Sequence, residues 1–517
     1  MEHREASISS TRNKDTSLSN IRPILETCKG NIAVFISYLL IATLAYWSIL
    51  NNTLIGDDYF YTVKAGELPL SGVWHLFNNH PSFVRPLPSL TLWLQYKLFG
   101  VEGIYSHLIN IAFHAGNAYL LFWLLKKLRV SAHAALISSF MFLIMPVAAE
   151  PVTWSSGRFD LMSTFFILLA TGLYLISVRN KSNAYYAAAL FAAFAAMLCK
   201  ESAMILVILF PVIELLHGIL SEEKEPDKRN LQKRITESVI RLLVFYGIFA
   251  GYIAMRFAIL GRLGGYKDVP FVSRPQLLTA AKTFWTFLSP VNSQFASNVF
   301  LFGIGGFFLF LLIASQGLVL FRWKSATGAI HKTWIFFVIF LFSTIVPVNT
   351  QLFRFGMGHN LKDSRELYII TMLAIALMMI GLLEFGWKKD KWRIYATVAV
   401  LLLVLPWLWG LSKNNIPWER SAVISNAILE DTHDLLPDPP PNARIYFYGI
   451  PEWDGAYIFT NALKHAVAER YGRKDLSIKQ IWQDEKDFDL NETKDGYLFE
   501  YDPGQEKLIL VHGPEGT

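Results

Sequence analysis

Residues 297–321 read SNVFLFGIGGFFLFLLIASQGLVLF, without one charged side chain. A helix of that length crosses the roughly 30 Å of hydrocarbon in a bilayer. Working outward, similar apolar segments fall at 32–50, 104–125, 132–149, 160–178, 184–199, 202–220, 239–260, 333–349, 366–386 and 393–411, making eleven. The fifth and sixth are parted by little more than Lys200-Glu201. The 517-residue chain is 53% hydrophobic and 17% charged, against about a quarter charged in soluble domains. Its mean hydropathy is +0.35. These features predict an α-helical polytopic membrane protein and exclude a soluble enzyme. Residues 276–290 are apolar but short, and read as re-entrant or interfacial. Residues 85–100 read as an amphipathic surface helix.

Lys and Arg favour cytoplasmic connections. They concentrate at Lys126–Arg129, Arg179–Lys181, Lys224–Arg234, Arg322–Lys332 and Lys388–Arg393. With residues 1–31 as a cytoplasmic tail, this orients the 32–411 membrane domain and puts its first outer loop, 51–103, outside. The odd span count places 412–517 outside too. The net charge of +6 then follows from topology, and nucleic acid is not an expected partner. No early apolar stretch resembles a cleavable leader, so the first span is expected to act as an uncleaved anchor. Cys28 and Cys199 make no disulfide framework and are expected as free thiols. The C-terminal region is polar. It has strand-like stretches at 444–450 and 507–512 and a helix-like stretch at 456–470, the pattern of a small α/β domain.

The costly residues share the outer side. Asp57 and Asp58 lie in the first outer loop, followed by His80 and Arg85. The third-to-fourth connection carries Glu150, Arg158 and Asp160. Lys200-Glu201 forms the fifth-to-sixth turn, and Arg365 precedes the tenth span. Charge at a bilayer boundary is expensive and marks functional candidates. Each residue also has a plainer reading. The aspartates can cap a helix. Glu150 can pair with Arg158, and Lys200-Glu201 can be a polar turn. Arg158 and Arg365 can snorkel, although Arg also suits bidentate phosphate contacts. His107, Asn110 and His114 share one helical face; a structural stripe is favoured there, because histidines two turns apart chelate poorly. No zinc, P-loop or dinucleotide-binding motif occurs. Gly303 to Gly306 reads as helix packing.

The order of these elements resembles a known family. Asp57-Asp58 follows the first span. His80-Pro81-Ser82-Phe83-Val84-Arg85-Pro86-Leu87 resembles H-x-S-Y-R-P-L, with Val84 in place of Tyr. His107, Asn110 and His114 match H-x-x-N-x-x-x-H. Pro146 to Asp160 resembles H-P-x-x-x-E-x-V-x-x-x-x-G-R-x-D, with Met145 in place of His. Cys199 to Ala203 resembles a K-E turn, and Ser364 to Tyr368 an E-R-x-L-Y element. Over about 50–370 the chain looks like polytopic glycosyltransferases of the GT-C fold, nearest the protein O-mannosyltransferase-like group with tetratricopeptide repeats and its bacterial relatives. The repeats themselves are absent from the tail.

The resemblance implies a polyprenyl-phosphate-linked sugar donor used at the outer face with inversion. It implies a glycan, lipid or protein acceptor and a catalytic base at Asp57 or Asp58. Arg158, Lys200 and Arg365 are then donor-phosphate candidates, since charge develops on a phosphate leaving group. His80, Arg85, His107, Asn110, His114, Glu150, Asp160 and Glu201 are substrate-binding or supporting candidates. The resemblance leans to metal independence, with no cofactor. If a cation is held, Asp57 and Asp58 are its ligands, for Mg²⁺ or Mn²⁺. A lipid-linked-saccharide flippase and a non-catalytic scaffold are the competing readings. The missing repeats and ER-retention tail point to a bacterial inner membrane.

Overall fold

The computed structural model describes residues 15–78, 80–219, 228–262, 277–355, 357–358, 360–386, 390–451, 455–460, 462–482 and 493–514. Most of the N-terminal tail, the Cys28 side chain, and parts of the 224–234 and 388–393 connections lie outside what is described. Among the described residues, eight helices are long and apolar enough to cross a membrane: Gly103–Lys127, Ser155–Asn180, Glu201–Gly218, Leu231–Leu260, Asn298–Phe321, Gly328–Ile345, Ser364–Glu384 and Lys391–Leu435. Two shorter apolar helices, Gly30–Ala45 and Asn183–Met197, and one bent pair occupy the other three expected positions.

The bent pair corrects the expected continuous 132–149 span. Ala132–Leu143 and Pro146–Thr153 meet at 48°. Pro146 has no N–H to continue the ladder, which favours a break just before it. The chain then folds back tightly before Ser155–Asn180. A Cβ on Gly157 would lie 2.3 Å from the Pro151 carbonyl oxygen, so only glycine allows this turn.

Burial sorts the helices. The apolar window of Ser364–Glu384 is 94% buried, against 17% for Leu231–Leu260, which exposes Ile240, Leu243 and Phe257. The first is central and the second faces lipid. Lipid tails are as apolar as Leu, so helices associate through close packing and polar contacts. Gly172 sits against the Trp123 ring, and Gly305 against Trp285 and Ser289. The segment at 276–290 forms the short helix Leu277–Leu288. The expected surface helix is Pro86–Phe99.

The helix Val404–Leu435 does not end at 411. It continues out of the apolar region, because Asn415, Ser421 and Ser425 are buried against other parts of the chain. The composition changes at 412, but the helix does not. Beyond it, strands β1 (Arg444–Tyr448), β2 (Ser477–Ile481), β3 (Tyr497–Asp502) and β4 (Lys507–His512) form a sheet in the order β2-β1-β3-β4. β1 runs parallel to β2 and β3, and β4 antiparallel to β3. The helix Leu463–Tyr471 lies between β1 and β2. A second apolar core joins this domain to the first outer loop, with Leu54, Tyr59 and Val63 packed among Ile428, Phe447 and Phe459.

Candidate active site

Asp57 immediately precedes the helix Asp58–Gly66 and makes no side-chain cap bond to it, which removes the capping reading for that carboxylate. The two neighbours face different partners. Asp58 is 1% exposed. Its Oδ1 accepts from the Ser156 amide at 2.8 Å and the Ser156 hydroxyl at 2.7 Å. Its Oδ2 accepts from the amides of Ile55 and Ser155, both at 3.3 Å. Burial pushes its carboxyl up to about 7, with the Ser156 and Ile55 donors pulling back and the Asp57 charge adding to the rise. Asp57 is half-buried and accepts from the Thr460 hydroxyl of the C-terminal domain. Gly56, at φ +58°, sets this turn and donates its amide to the Ile458 carbonyl at 2.8 Å. The two carboxylates thus accept from different donors. No cluster of three or more His, Cys, Asp or Glu side chains suited to a metal occurs among the described residues.

Arg158 departs from the expectation. It is fully buried and turned to neutral acceptors: Asn110 Oδ1 at 3.1 Å, Gln95 Oε1 at 2.8 Å and Thr91 Oγ1 at 3.3 Å. This guanidinium ties the start of its own helix to the surface helix and the second span. Nor does Glu150 pair with Arg158. Its partner is Arg365, through the guanidinium and through the Arg365 amide at 2.9 Å.

The other charges form ion pairs across helix ends. Lys200 reaches Asp160 at 2.5 Å and Glu366 at 3.0 Å. Burial opposes the Lys200 charge, but the two carboxylates together outweigh it and raise its pKa. Glu201 is shared by Arg85 and Arg256, each at 2.7 Å. Arg365 also meets Asp363 at 2.8 Å and lies 5.1 Å over the Trp154 ring. Trp154 shares an apolar cluster with Ile55, Trp418 and Ala456. The indole thus packs with Ile55 of the loop carrying Asp57 and lies under the guanidinium of Arg365.

His80 accepts from the Ser82 amide through Nδ1 at 3.0 Å. It stacks on Phe83 at 4.9 Å and Tyr61 at 6.0 Å. Burial, with the Arg85 and Lys64 charges, lowers its pKa to about 4, so it is neutral at physiological pH. The helical stripe is structural. His107 donates to the Asn52 carbonyl at 3.2 Å. Asn110 donates to the Trp154 carbonyl at 2.8 Å. His114 bridges the Leu143 carbonyl at 2.9 Å and the Tyr368 hydroxyl at 2.7 Å.

The structure thus gathers Glu150, Asp160, Lys200, Glu201, Arg85 and Arg365 at one face with the aspartates, and withdraws Arg158 and the histidine stripe into packing. Two cavities among these residues are small, about 10 Å³ each. Sequence reasoning passed over Arg256, Gln95, the Ser155–Ser156 donors and Thr460. Arg256 carried a signal as a charge deep in an apolar span. Thr460 carried none, because its partner is 403 positions away.

No family model matches the chain. It is 28% identical to protein O-mannosyl-transferase TMTC4 of Homo sapiens over 236 residues, 38% of this chain and 32% of that protein. It is 30% identical to human protein O-mannosyl-transferase TMTC3 over 183 residues, 32% of this chain and 20% of that one. The chain resembles protein O-mannosyl-transferases. Protein O-mannosyl-transferase Tmtc1 of Drosophila melanogaster matches at 29% over 198 residues, 36% of this chain and 23% of that protein. The chain therefore spans a third or less of the length of these relatives, in line with the resemblance read from the motifs. Among solved structures it overlaps ArnT from Cupriavidus metallidurans bound to undecaprenyl phosphate, at 11% identity and a TM-score of 0.47, covering 92% of this chain and 94% of that one. A score this low supports no conclusion.

Proposed function

We propose that the chain is a GT-C-type membrane glycosyltransferase that moves a sugar, mannose by analogy with its relatives, from a polyprenyl-phosphate donor to an acceptor hydroxyl. Asp57 is the base. It takes the hydroxyl proton while the acceptor oxygen attacks the anomeric carbon from the side opposite the phosphate. The bond to the phosphate breaks, its electron pair passes to the phosphate oxygen, and the anomeric centre inverts. Arg365 and Lys200 face the developing phosphate charge, where cations contribute most in a site sheltered from water. Both are already held by carboxylates, so they are placed before the donor arrives. Asp58 positions the loop and does not touch substrate. The 51–103 loop and the C-terminal domain lie on the outer face of a bacterial inner membrane, where the lipid tail enters among the spans and the acceptor, a protein, glycan or lipid, approaches from outside.

The observation that carries this reading is the Trp154 indole, packed with Ile55 of the Asp57 loop and lying against Arg365. The test is reconstitution of purified protein in liposomes with polyprenyl-phosphate-linked mannose and a hydroxyl acceptor peptide. Mannosyl transfer that is lost in Asp57→Asn supports the proposal. Movement of the donor across the bilayer without transfer would favour the flippase reading.

A further inference from the structure

At the other end of the same helices lies a cavity of about 680 Å³, within the range of small-molecule sites. Asp160 lies in the first turn and Arg179 in the last turn of the helix Arg158–Asn180; nineteen residues at 1.5 Å each separate them by about 29 Å. Arg129, Arg179, Lys181, Arg234, Arg241 and Lys332 line this cavity, with Glu237 as the carboxylate among the lining residues. Topology explains why basic residues gather at this end. It does not require basic residues from several connections to border one space.

Two details separate this cavity from a solvated basic rim. Arg241 is fixed by a bidentate contact to Glu214, at 2.6 and 2.8 Å, and the Ser238 hydroxyl donates to Oε2 of the same carboxylate at 2.7 Å. That wall is built. Next, Arg179 donates to His217 Nδ1 at 3.1 Å. Arginine has no acceptor, so His217 Nδ1 accepts and Nε2 carries the proton. That Nε2 is buried with no hydrogen-bond partner. A buried donor left unmet beside the cavity is costly to the fold.

We infer that this cavity binds a phosphate-bearing anion, the headgroup of an anionic phospholipid or a soluble phosphate. Basic cavities between membrane helices suit such headgroups. The site is separate from the proposed transfer chemistry and does not depend on it.

The test uses the full chain, delipidated in neutral detergent. Native mass spectrometry reads the binding of phosphatidylglycerol, phosphatidylcholine and inorganic phosphate, each added alone. The comparison is with the double variant Arg129→Gln/Lys332→Gln. Retention of phosphatidylglycerol over phosphatidylcholine, weakened on the order of thirty-fold in the variant, supports a lipid headgroup. Binding of inorganic phosphate with the same variant dependence supports a soluble ligand at the same site. Equal retention of both lipids with no phosphate binding, or binding unchanged in the variant, overturns the inference. Thermal melting of both proteins without ligand checks that the variant is folded. If the double variant does not fold, Lys181→Gln takes its place.

Discussion

The two sides of the first outer loop differ more than their sequence suggests. Asp57 and Asp58 are the same residue in consecutive positions. On the inner side, Asp58 is sealed from solvent and saturated by four donors from two segments. On the outer side, Asp57 is half-buried and accepts from the Thr460 hydroxyl of a different domain. Successive residues of a helix start point in different directions, so one carboxylate holds the turn while the other faces the C-terminal domain. A pair that reads as one acidic motif is two devices.

The comparison can be broken from either side. The largest expected effect is on chemistry: Asp57→Ala lowers transfer about a thousandfold, the scale of a lost general base, with an unchanged melting temperature in detergent. An equal fall in melting temperature would make Asp57 structural as well. Next, Asp58→Ala leaves three buried amides unmet and costs about 3 kcal/mol of stability or more, read as a lowered melting temperature. The pH dependence follows. The Asp58 carboxyl is pushed up to about 7, from an ordinary value near 4. A raised carboxyl contributes stability that is fully present below about pH 4 and is lost as pH rises through about 7. Melting temperature should therefore fall more steeply between about pH 4 and 8 in the native chain than in Asp58→Asn. A parallel slope in both would remove Asp58 from that role.

Smaller effects sharpen the boundary of the site. His114→Phe loses two buried hydrogen bonds, to Leu143 and Tyr368. It should cost about 2 kcal/mol in stability and leave transfer per folded molecule unchanged. A selective loss of transfer would return the histidine stripe to the active site. Thr460→Val removes one hydroxyl from Asp57 and should alter transfer by no more than about five-fold, the worth of one hydrogen bond.

The membrane fold was legible because a bilayer imposes length and apolarity on every span. The apolar stretch at 297–321 appears as the helix Asn298–Phe321. The break at Pro146 was legible in principle from a missing N–H. Strands β2 and β3 were not read at all, since Ser-Ile-Lys-Gln-Ile offers little apolar pattern of its own and pairs with β1 from a distance. At the site, the residue types were legible and their partners were not. Glu150 has an arginine eight positions away and pairs with one 215 positions away. Arg158 looked like a phosphate ligand by charge, but tertiary packing surrounds it with Gln95, Asn110 and Thr91. What sequence cannot supply is which donors reach a given carboxylate, and those donors are what separate Asp57 from Asp58.

The most direct test of that division is the transfer rate of Asp57→Asn beside Asp58→Asn. Both are reconstituted in liposomes with polyprenyl-phosphate-linked mannose and compared at equal amounts of folded protein. The account predicts a fall of about a thousandfold for Asp57→Asn and less than about tenfold for Asp58→Asn. Full activity in Asp57→Asn, or the reverse order of the two, would contradict it.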